Sequence, residues 1–195
     1  MSALMLLRQG KDAEAYEQAL RGAALMMKVR PTQYSAVGGY FCICTTLLAL
    51  WEHPARCVMA ELDALCFAAV SSLKKFGVRF RGAEPRALAY RAAWLWLSAR
   101  AERARVKVKA EAATRSASWD GQRPEEKERE AQQLWTQAIM QAESLEMPYE
   151  RAIALSLQGR FSVDRSALEA ALRLFREVGA SFDATATDAE LNKLE

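Results

Sequence analysis

Apolar residues recur every three or four positions along most of this 195-residue chain. That spacing places them on one face of an α-helix, whereas one face of a β-strand repeats every two residues. Four such stripes are clear, and each can bury one side of its helix. The sequence therefore predicts an all-α protein. The stripes are Tyr16, Ala19, Leu20, Ala23 and Met27; Val58, Leu62, Leu65, Cys66, Ala69, Leu73 and Phe76; Ala131, Leu134, Trp135, Ala138, Ala142 and Leu145; and Leu168, Ala171, Leu172, Phe175 and Val178.

Proline divides these segments from one another. Pro31, Pro54, Pro85, Pro124 and Pro148 each stand at the front of a segment with helical spacing. Proline is tolerated there because the first helical turn makes no use of the N–H that it lacks. Together with the stripes, the prolines predict helices near 2–9, 12–28, 32–51, 54–76, 86–99, 101–117, 125–146, 148–160 and 164–178.

Two glycines and one capping pattern complete the boundaries. Gly10 and Gly179 follow apolar runs, where glycine often ends a helix. We therefore expect a single helical domain of about nine helices over residues 1–180. Residues 181–195 then form a C-terminal tail, in which Thr187 and Glu190 have the spacing of a capping box and predict a short helix.

The short connections predict that neighbouring helices pack antiparallel as hairpins. Alanine is frequent at the contact positions, so the helices can approach closely. Hairpins of this kind stack into an α-solenoid, in which each unit buries its face on the next. The segment from Ala87 to Ala99 has Arg91 as its only charge. We therefore expect it to be an interior helix with neighbours on both sides.

Leu7, Gly10, Ala15 and Ala19 have the spacing of the middle of a tetratricopeptide repeat, where one helix ends and the next begins. Glycine opens the turn there, and the alanines let the two helices touch. The strict repeat length of about 34 residues is absent. The chain therefore resembles a degenerate tetratricopeptide-like array.

Five further segments follow one another over roughly residues 31–180. They are Leu50-Trp51-Glu52, Glu84-Pro85-Arg86-Ala87-Leu88, Leu145-Glu146-Met147-Pro148-Tyr149-Glu150, Leu157-Gln158-Gly159-Arg160, and Leu168 through Phe175 to Val178-Gly179-Ala180. In this order they resemble the C-terminal helical-repeat region of large bacterial-type "predicted ATPase" signalling proteins. Those proteins join a nucleotide-cyclase or Ser/Thr-kinase domain to an AAA-type ATPase and then to tetratricopeptide-like repeats.

The resemblance implies an interaction or regulatory role without catalysis. The catalytic motifs of that family lie in its other domains, so no catalytic, cofactor-binding or metal-binding residue is carried over to this chain. The chain departs from the family pattern between Arg103 and Gln132, where extra residues intervene. The repeat register is therefore undetermined in that segment.

The residues themselves point to no enzyme. There is one histidine, His53, and its spacing to Cys57 supplies two ligands, too few for a zinc site. The four cysteines are too few for a disulfide scaffold in a chain of this length. Gly38-Gly39 lacks the lysine of a phosphate-binding loop and predicts close helix packing instead. We expect no cofactor and no metal.

One stretch has the length and composition of a membrane span. From Pro31 to Trp51 the chain carries no charge, and about 20 apolar residues can cross a bilayer. The stretch contains several polar residues and is flanked by amphipathic segments, so we expect a buried helix rather than a membrane span. With no signal peptide evident and reduced thiols expected, the predicted location is cytoplasmic.

Charge is divided between two segments. Residues 74–115 carry twelve basic and three acidic side chains, for a net charge of +9, and residues 120–150 carry a net charge of −5. The two segments can neutralise each other within the fold, or the basic one can form a surface for an acidic protein partner. Nucleic acid is disfavoured because no helix-turn-helix or stacking-aromatic pattern accompanies the charge. Arg100, Arg103 and Lys107 share one helix face and are the candidate partner-binding residues.

The sequence thus predicts a non-catalytic helical-repeat module that binds a protein partner or other domains of its parent chain. The alternative is a helical bundle that binds a small ligand or acts as an enzyme. Its pocket would lie among Tyr90, Trp94, Trp96 and Trp135.

Overall fold

The computed structural model describes residues 2–53, 61–112 and 123–194, and within 106–112 it describes the backbone alone. These residues form α-helices and two 3₁₀ turns, with no β-strand among them. The predicted all-α class is confirmed. The helices are α1 (Ala3–Arg8), α2 (Asp12–Lys28), α3 (Val37–Glu52), α4 (Leu62–Arg79), α5 (Glu84–Ala112), α6 (Pro124–Ser144), α7 (Pro148–Ser162), α8 (Arg165–Glu177) and α9 (Ser181–Asn192), and the 3₁₀ turns are Tyr34–Ala36 and Arg81–Ala83.

Three prolines begin helices as predicted. Pro124 and Pro148 are the first residues of α6 and α7, and Pro85 is the second residue of α5. Pro54 lies outside the described residues. Pro31 lies further from its helix than predicted, because α3 begins at Val37 rather than at 32.

The late start of α3 has a packing cause. Tyr34 forms a 3₁₀ turn with the two residues after it, and its ring lies 6.4 Å from that of Phe76 and 6.0 Å from that of Phe80. These aromatic contacts hold the segment against the end of α4. Residues 31–33 therefore remain outside the helix.

Two predicted boundaries are wrong. The sequence predicts a break near residue 100, but α5 runs unbroken from Glu84 to Ala112. Helix α6 packs along it, and Lys127 of α6 bonds to both Ser98 and Glu102, on either side of the predicted break. The continuous partner surface favours one long helix.

The short helix predicted in the C-terminal segment begins earlier than expected and is longer. Residues 181–192 form the whole helix α9, which packs on α8 and buries Ala184 and Leu191. Thr187 lies inside α9, where its hydroxyl donates to the carbonyl of Asp183. It therefore does not begin a helix, and the predicted capping box is wrong.

Helix ends follow ordinary capping rules. Gly10 and Gly179 end their helices with a φ of 73°, a left-handed conformation that glycine adopts without steric penalty. Asp164 caps α8, and its carboxylate accepts a hydrogen bond from the amide of Ala167 at 3.2 Å. A hydrogen bond from the Ser166 hydroxyl, together with that from the Ala167 amide, lowers the pKa of Asp164.

The buried apolar residues form two clusters. The larger one joins helices α1 to α7, and the smaller one centres on Phe175 and Leu168 of α8. Ile153 of α7 contacts both clusters. Trp135 is fully buried, as predicted, with its ring centroid 5.6 Å from that of Trp96 and 5.9 Å from that of Phe161. It thereby joins α5, α6 and α7.

Each helix contacts the next one along the chain, and several also contact the next helix but one. Helices α1, α3, α5 and α7 pack against one another in a row, and α2 packs against α4. Helix α5 contacts α3, α4, α6 and α7, which confirms its predicted interior position. Helix α3 meets the length and hydropathy requirements for crossing a membrane when joined with its preceding turn, and it packs against four helices, α1, α2, α4 and α5.

Glycine allows close helix contact at positions other than those predicted. A Cβ at Gly22 would lie 2.4 Å from the side chain of Ile43, and one at Gly159 would lie 2.7 Å from that of Leu168. Gly38 and Gly39 face open space, so close packing is the wrong interpretation there.

Candidate interaction groove

A groove of about 410 Å³ runs across the row of odd-numbered helices. Side chains from α1, α3, α5, α7, α8 and α9 line it, so it draws together both ends of the described chain. Its volume lies within the range of about 300–1,000 Å³ that is common for binding pockets. The groove is lined by both apolar and charged side chains, among them Arg8, Leu48, Tyr90, Arg160, Phe182 and Asp183.

A buried ion pair stands beneath this groove. Arg86 of α5 donates from Nε to Glu150 Oε2 at 2.5 Å and from Nη2 to Oε1 at 2.9 Å. Both residues are buried. This two-point geometry fixes the angle between α5 and α7, because a planar guanidinium must lie in the plane of the carboxylate.

The sequence places both charges at the starts of their helices. Arg86 follows Pro85, and Glu150 lies in the first turn of α7, two residues after Pro148. A carboxylate near a helix N-terminus is stabilised by the free amides of that turn. The two proline-initiated helices therefore present their first turns to each other.

A chain of hydroxyls extends from the ion pair. Arg86 Nη1 donates to the hydroxyl of Tyr90 at 3.1 Å, one helical turn further along α5. That hydroxyl lies 2.6 Å from Thr45 Oγ1, and Thr45 donates to the carbonyl of Phe41 at 2.8 Å. Burial raises the pKa of Tyr90 more than the neighbouring Arg86 lowers it, so the phenol stays protonated and can donate to Thr45.

Aromatic rings surround the guanidinium of Arg86. Its Cζ lies 4.5 Å from the ring centroid of Phe41, 5.2 Å from that of Tyr149 and 5.6 Å from that of Tyr90. Cation–π contacts of this kind gain strength when water is excluded. Burial lowers the pKa of Arg86, but the interactions with Tyr90 and Glu150 outweigh it, so the pKa is raised and the guanidinium stays charged.

The mouth of the groove is closed on one side by α1 and α9. Arg8 stacks on the ring of Phe182, with Cζ 3.8 Å from its centroid, and lies 4.0 Å from the carboxylate of Asp183. The hydroxyl of Tyr149 donates to the same carboxylate at 3.1 Å. Burial and the charge of Asp183 raise the pKa of Tyr149 to about 12. Three helices thus meet at one aspartate.

Ion pairs also line the contact between α5 and α6. Arg91 lies 3.0 Å from Glu130, Lys127 pairs with Glu102, and Arg103 Nη2 donates to Glu128 at 2.7 Å. In two of these three pairs an acidic side chain of residues 120–150 meets a basic side chain of residues 74–115, and in the third Lys127 meets Glu102. In this region the two charged segments neutralise each other, one of the two alternatives raised by the sequence.

The predicted partner-binding residues lie at this contact or beyond it. Arg100 is exposed on α5. Arg103 is half-exposed and pairs with Glu128 and, at 3.6 Å, with Glu125. Lys107 belongs to α5 by its backbone, and its side chain lies outside the described part of the chain. Their role in binding a partner stays a prediction.

The sequence reasoning missed the groove residues Arg8, Arg160 and Asp183. Arg160 crosses the groove to lie 3.0 Å from Glu52 of α3. No local motif marks these residues, because each meets its partner through packing between distant helices. Arg86 carried a usable signal, since it and Tyr90 lie one turn apart in the helix predicted over 86–99.

The aromatic residues of the alternative ligand pocket lie in different places. Tyr90 lines the groove, and Trp135 packs against Trp96 in a tilted arrangement. Trp94 lies between α4 and α5, where its indole N–H donates to Asp63 at 3.0 Å. The four side chains therefore do not converge on a shared cavity.

Thiols and carboxylates of the described residues gather into no group of three or more that could hold a metal ion. Cys44 and Cys66 are buried free thiols, and burial raises the pKa of each. Their thiols are therefore protonated and unreactive at neutral pH. His53 follows the last residue of α3, and Cys57 lies outside the described residues.

Comparison with families of known proteins, with characterised proteins and with solved structures gives no match to this chain.

Proposed function

We propose that this chain is a non-catalytic helical-repeat module, a degenerate tetratricopeptide-like α-solenoid, that binds a protein segment in its groove. The single observation that carries the proposal is the groove of about 410 Å³, which is lined from the four helices α1, α3, α5 and α7 of one row and from α8 and α9. A segment lying there would contact helices from both ends of the chain. Many weak contacts on preformed helices are the usual way in which helical repeats bind.

The rigidity of the groove supports binding of this kind. The Arg86–Glu150 pair fixes α5 against α7, and Thr45 extends the network to α3. A surface that is organised before binding loses less conformational entropy when the partner arrives. The bound segment therefore supplies the flexible part of the complex.

The composition of the groove indicates the character of the segment. Leu48, Leu157 and Phe182 offer apolar contact, while Arg160 and Glu190 add charges of both signs at the rim. An amphipathic segment with apolar anchors and flanking charges complements such a lining. The segment belongs to a protein partner or to another domain of the parent chain.

The resemblance to the helical-repeat region of signalling ATPases sets the proposed cellular role. In that setting the module would sit in the cytoplasm and regulate a cyclase, kinase or ATPase domain by holding one of its segments. The alternative, a small-ligand pocket among the four aromatic residues, receives no support from their separate positions.

A groove-filling variant tests the proposal. Random short peptides displayed on phage are selected against the whole chain, and the affinities of the selected peptides are measured by fluorescence anisotropy. Ala186 lines the groove and is exposed, so Ala186→Trp fills the groove without removing a core contact. We expect it to weaken peptides bound in the groove by about tenfold or more.

Ala189→Trp is the matched control, because Ala189 is exposed on the same helix, three residues further on, and does not line the groove. It should leave those affinities unchanged. If no selected peptide distinguishes the two tryptophan variants, the groove is not the binding site.

A further inference from the structure

The basic segment identified in the sequence divides into two parts in the structure. On α5, the charges of Arg86, Arg91 and Arg103 are all paired with glutamates. At the end of α4 and in the turn after it, four basic side chains are exposed, and no ion pair involves any of them within the described ranges. These four are Lys74, Lys75, Arg79 and Arg81.

The nearest acidic residue along the chain does not neutralise them. Glu84 accepts a hydrogen bond from Gln141 of α6 at 2.5 Å, and its backbone lies against Gly77 of α4. Lys74, Lys75 and Arg79 lie within about 8 Å along the helix axis, at 1.5 Å per residue. This end of α4 therefore carries a concentrated positive charge that the fold itself does not use.

Apolar side chains share the same face. Phe67, Ser71, Lys74 and Val78 are spaced by four, three and four residues, which places them in one row along α4. Phe67 is 51% exposed and Val78 is 77% exposed. The row therefore offers exposed apolar contact at both ends with the charge of Lys74 between them, so one partner segment can make both kinds of contact.

The aromatic end of this row is rigid and shallow. The ring centroids of Phe67 and Trp94 lie 5.0 Å apart, and the bond from the Trp94 N–H to Asp63 fixes the indole. The depression beside them, which Lys74 also lines, has a volume of only about 10 Å³. It is too small for a ligand molecule, but its rim can seat one apolar side chain of a partner.

We propose that this face of α4 is a docking site for an acidic protein segment. An apolar side chain of the partner rests on the Phe67–Trp94 pair, and carboxylates on the side towards the end of α4 meet Lys74, Lys75, Arg79 and Arg81. Charge complementarity selects the partner, since these four cations lie close together at one end of α4 and form no ion pair among the described residues. This site is separate from the groove and does not depend on the function proposed for it.

The geometry favours a protein over a nucleic acid. The rings of Phe67 and Trp94 are inclined by 47° to each other, so they offer no pair of parallel surfaces for successive bases. Val78 lies among the cations, where a phosphate backbone would find no partner for it but an aliphatic side chain would.

The test uses the peptides selected from random phage display on the whole chain, with Lys74→Glu/Lys75→Glu as the variant. Both lysines are exposed, and we expect the melting temperature of the variant to stay close to that of the original protein. Peptides that survive the Ala186→Trp substitution should be acidic and contain an apolar residue. The lysine variant should weaken them by about tenfold or more, since each charge pair is reversed.

The matched control is Arg129→Glu/Arg173→Glu, which changes the net charge equally on exposed positions of α6 and α8. It should leave the affinities within about twofold. The proposal is overturned if the selection yields no acidic binder outside the groove, if both double variants weaken binding equally, or if a single-stranded oligothymidine binds this face more tightly than the peptides. Loss of groove peptides alone would affect only the function proposed above.

Discussion

The groove floor and the α5–α6 contact are both built with arginine–glutamate pairs, but the two regions depend on them differently. Beneath the groove, the side chains of Arg86 and Glu150 are 6% and 9% exposed. At the α5–α6 contact, those of Arg103 and Glu128 are 47% and 19% exposed. Removing one partner beneath the groove leaves a charge without water, whereas removing one at the surface returns the other to solvent. We therefore expect the buried Arg86–Glu150 pair to be needed for stability, and the exposed Arg103–Glu128 pair to change stability only slightly.

At the α5–α6 contact, where the ion pairs are exposed, aromatic packing contributes most to holding the helices together. Trp135 lies between Trp96 of α5 and Phe161 of α7, and it is fully buried. We infer that this side chain, rather than the ring of surface charges, holds α6 in place. The predictions below test that division from the largest expected effect to the smallest.

Truncating the central tryptophan should have the largest effect. Trp135→Ala should lower the free energy of unfolding by about 3–5 kcal/mol, as large core truncations do. Equilibrium unfolding in urea measures the change. A loss below about 1 kcal/mol would show that α6 is held by its charges instead.

Breaking the buried pair should come next. Glu150→Gln keeps the shape of the side chain but leaves Arg86 as an uncompensated buried charge, so we expect a loss of about 3 kcal/mol in urea unfolding. Glu177→Gln, at an exposed position on α8, is the matched control and should cost less than about 0.5 kcal/mol.

A double replacement sharpens this test. Arg86→Met/Glu150→Leu removes both charges together and should recover much of the stability, because no buried charge remains. If the double variant is as unstable as Glu150→Gln, the pair acts through its shape and not through its charge.

Breaking a surface pair should have a small effect. Glu128→Gln leaves Arg103 in contact with Glu125 and with solvent, so we expect a loss below about 1 kcal/mol. The difference from the original protein should shrink further in high salt, which screens exposed charges. A loss as large as that of Glu150→Gln would remove the distinction between the two regions.

The smallest expected effect is on the pH dependence of stability. Tyr149 has a pKa raised to about 12 in the folded state, against an ordinary value of 10.0. The protonated Tyr149 phenol therefore adds its full share to the free energy of unfolding below pH 10. That share is lost as the pH rises towards 12, since this tyrosine ionises at a lower pH in the unfolded chain than in the folded protein. Tyr149→Phe should show a shallower fall in melting temperature over this interval. Tyr34→Phe, at a more exposed tyrosine, is the control and should retain the original slope.

The helical class and most of the buried faces could be predicted from sequence, because helical spacing and proline position are local properties. The stripe through Leu73 and Phe76 is buried as predicted. In α2 the buried face is displaced slightly, so that Met26 is buried while Leu20 and Met27 are exposed. Rotating a helix about its axis by one residue position changes its local helix-forming tendency very little. The packing of the neighbouring helices therefore determines which of two adjacent residues is buried.

The groove could not be predicted in the same way. Arg8 and Asp183 are ordinary surface residues by every local measure, and only the packing of intervening helices brings them together. The charge segments could be counted, but the sequence does not show which lysines and arginines will find a glutamate. That depends on the path of α6 along α5, which leaves the end of α4 without acidic partners.

The stacking of Arg8 on Phe182 bears on the order in which the protein folds. The extensive contacts between helices join adjacent helices or the next but one, and such contacts form early because little chain entropy is lost in closing short loops. Arg8 and Phe182 meet only after the helices between them have assembled. We therefore expect their contact to form late during refolding, so the mouth of the groove is completed only once the helices between α1 and α9 are in place.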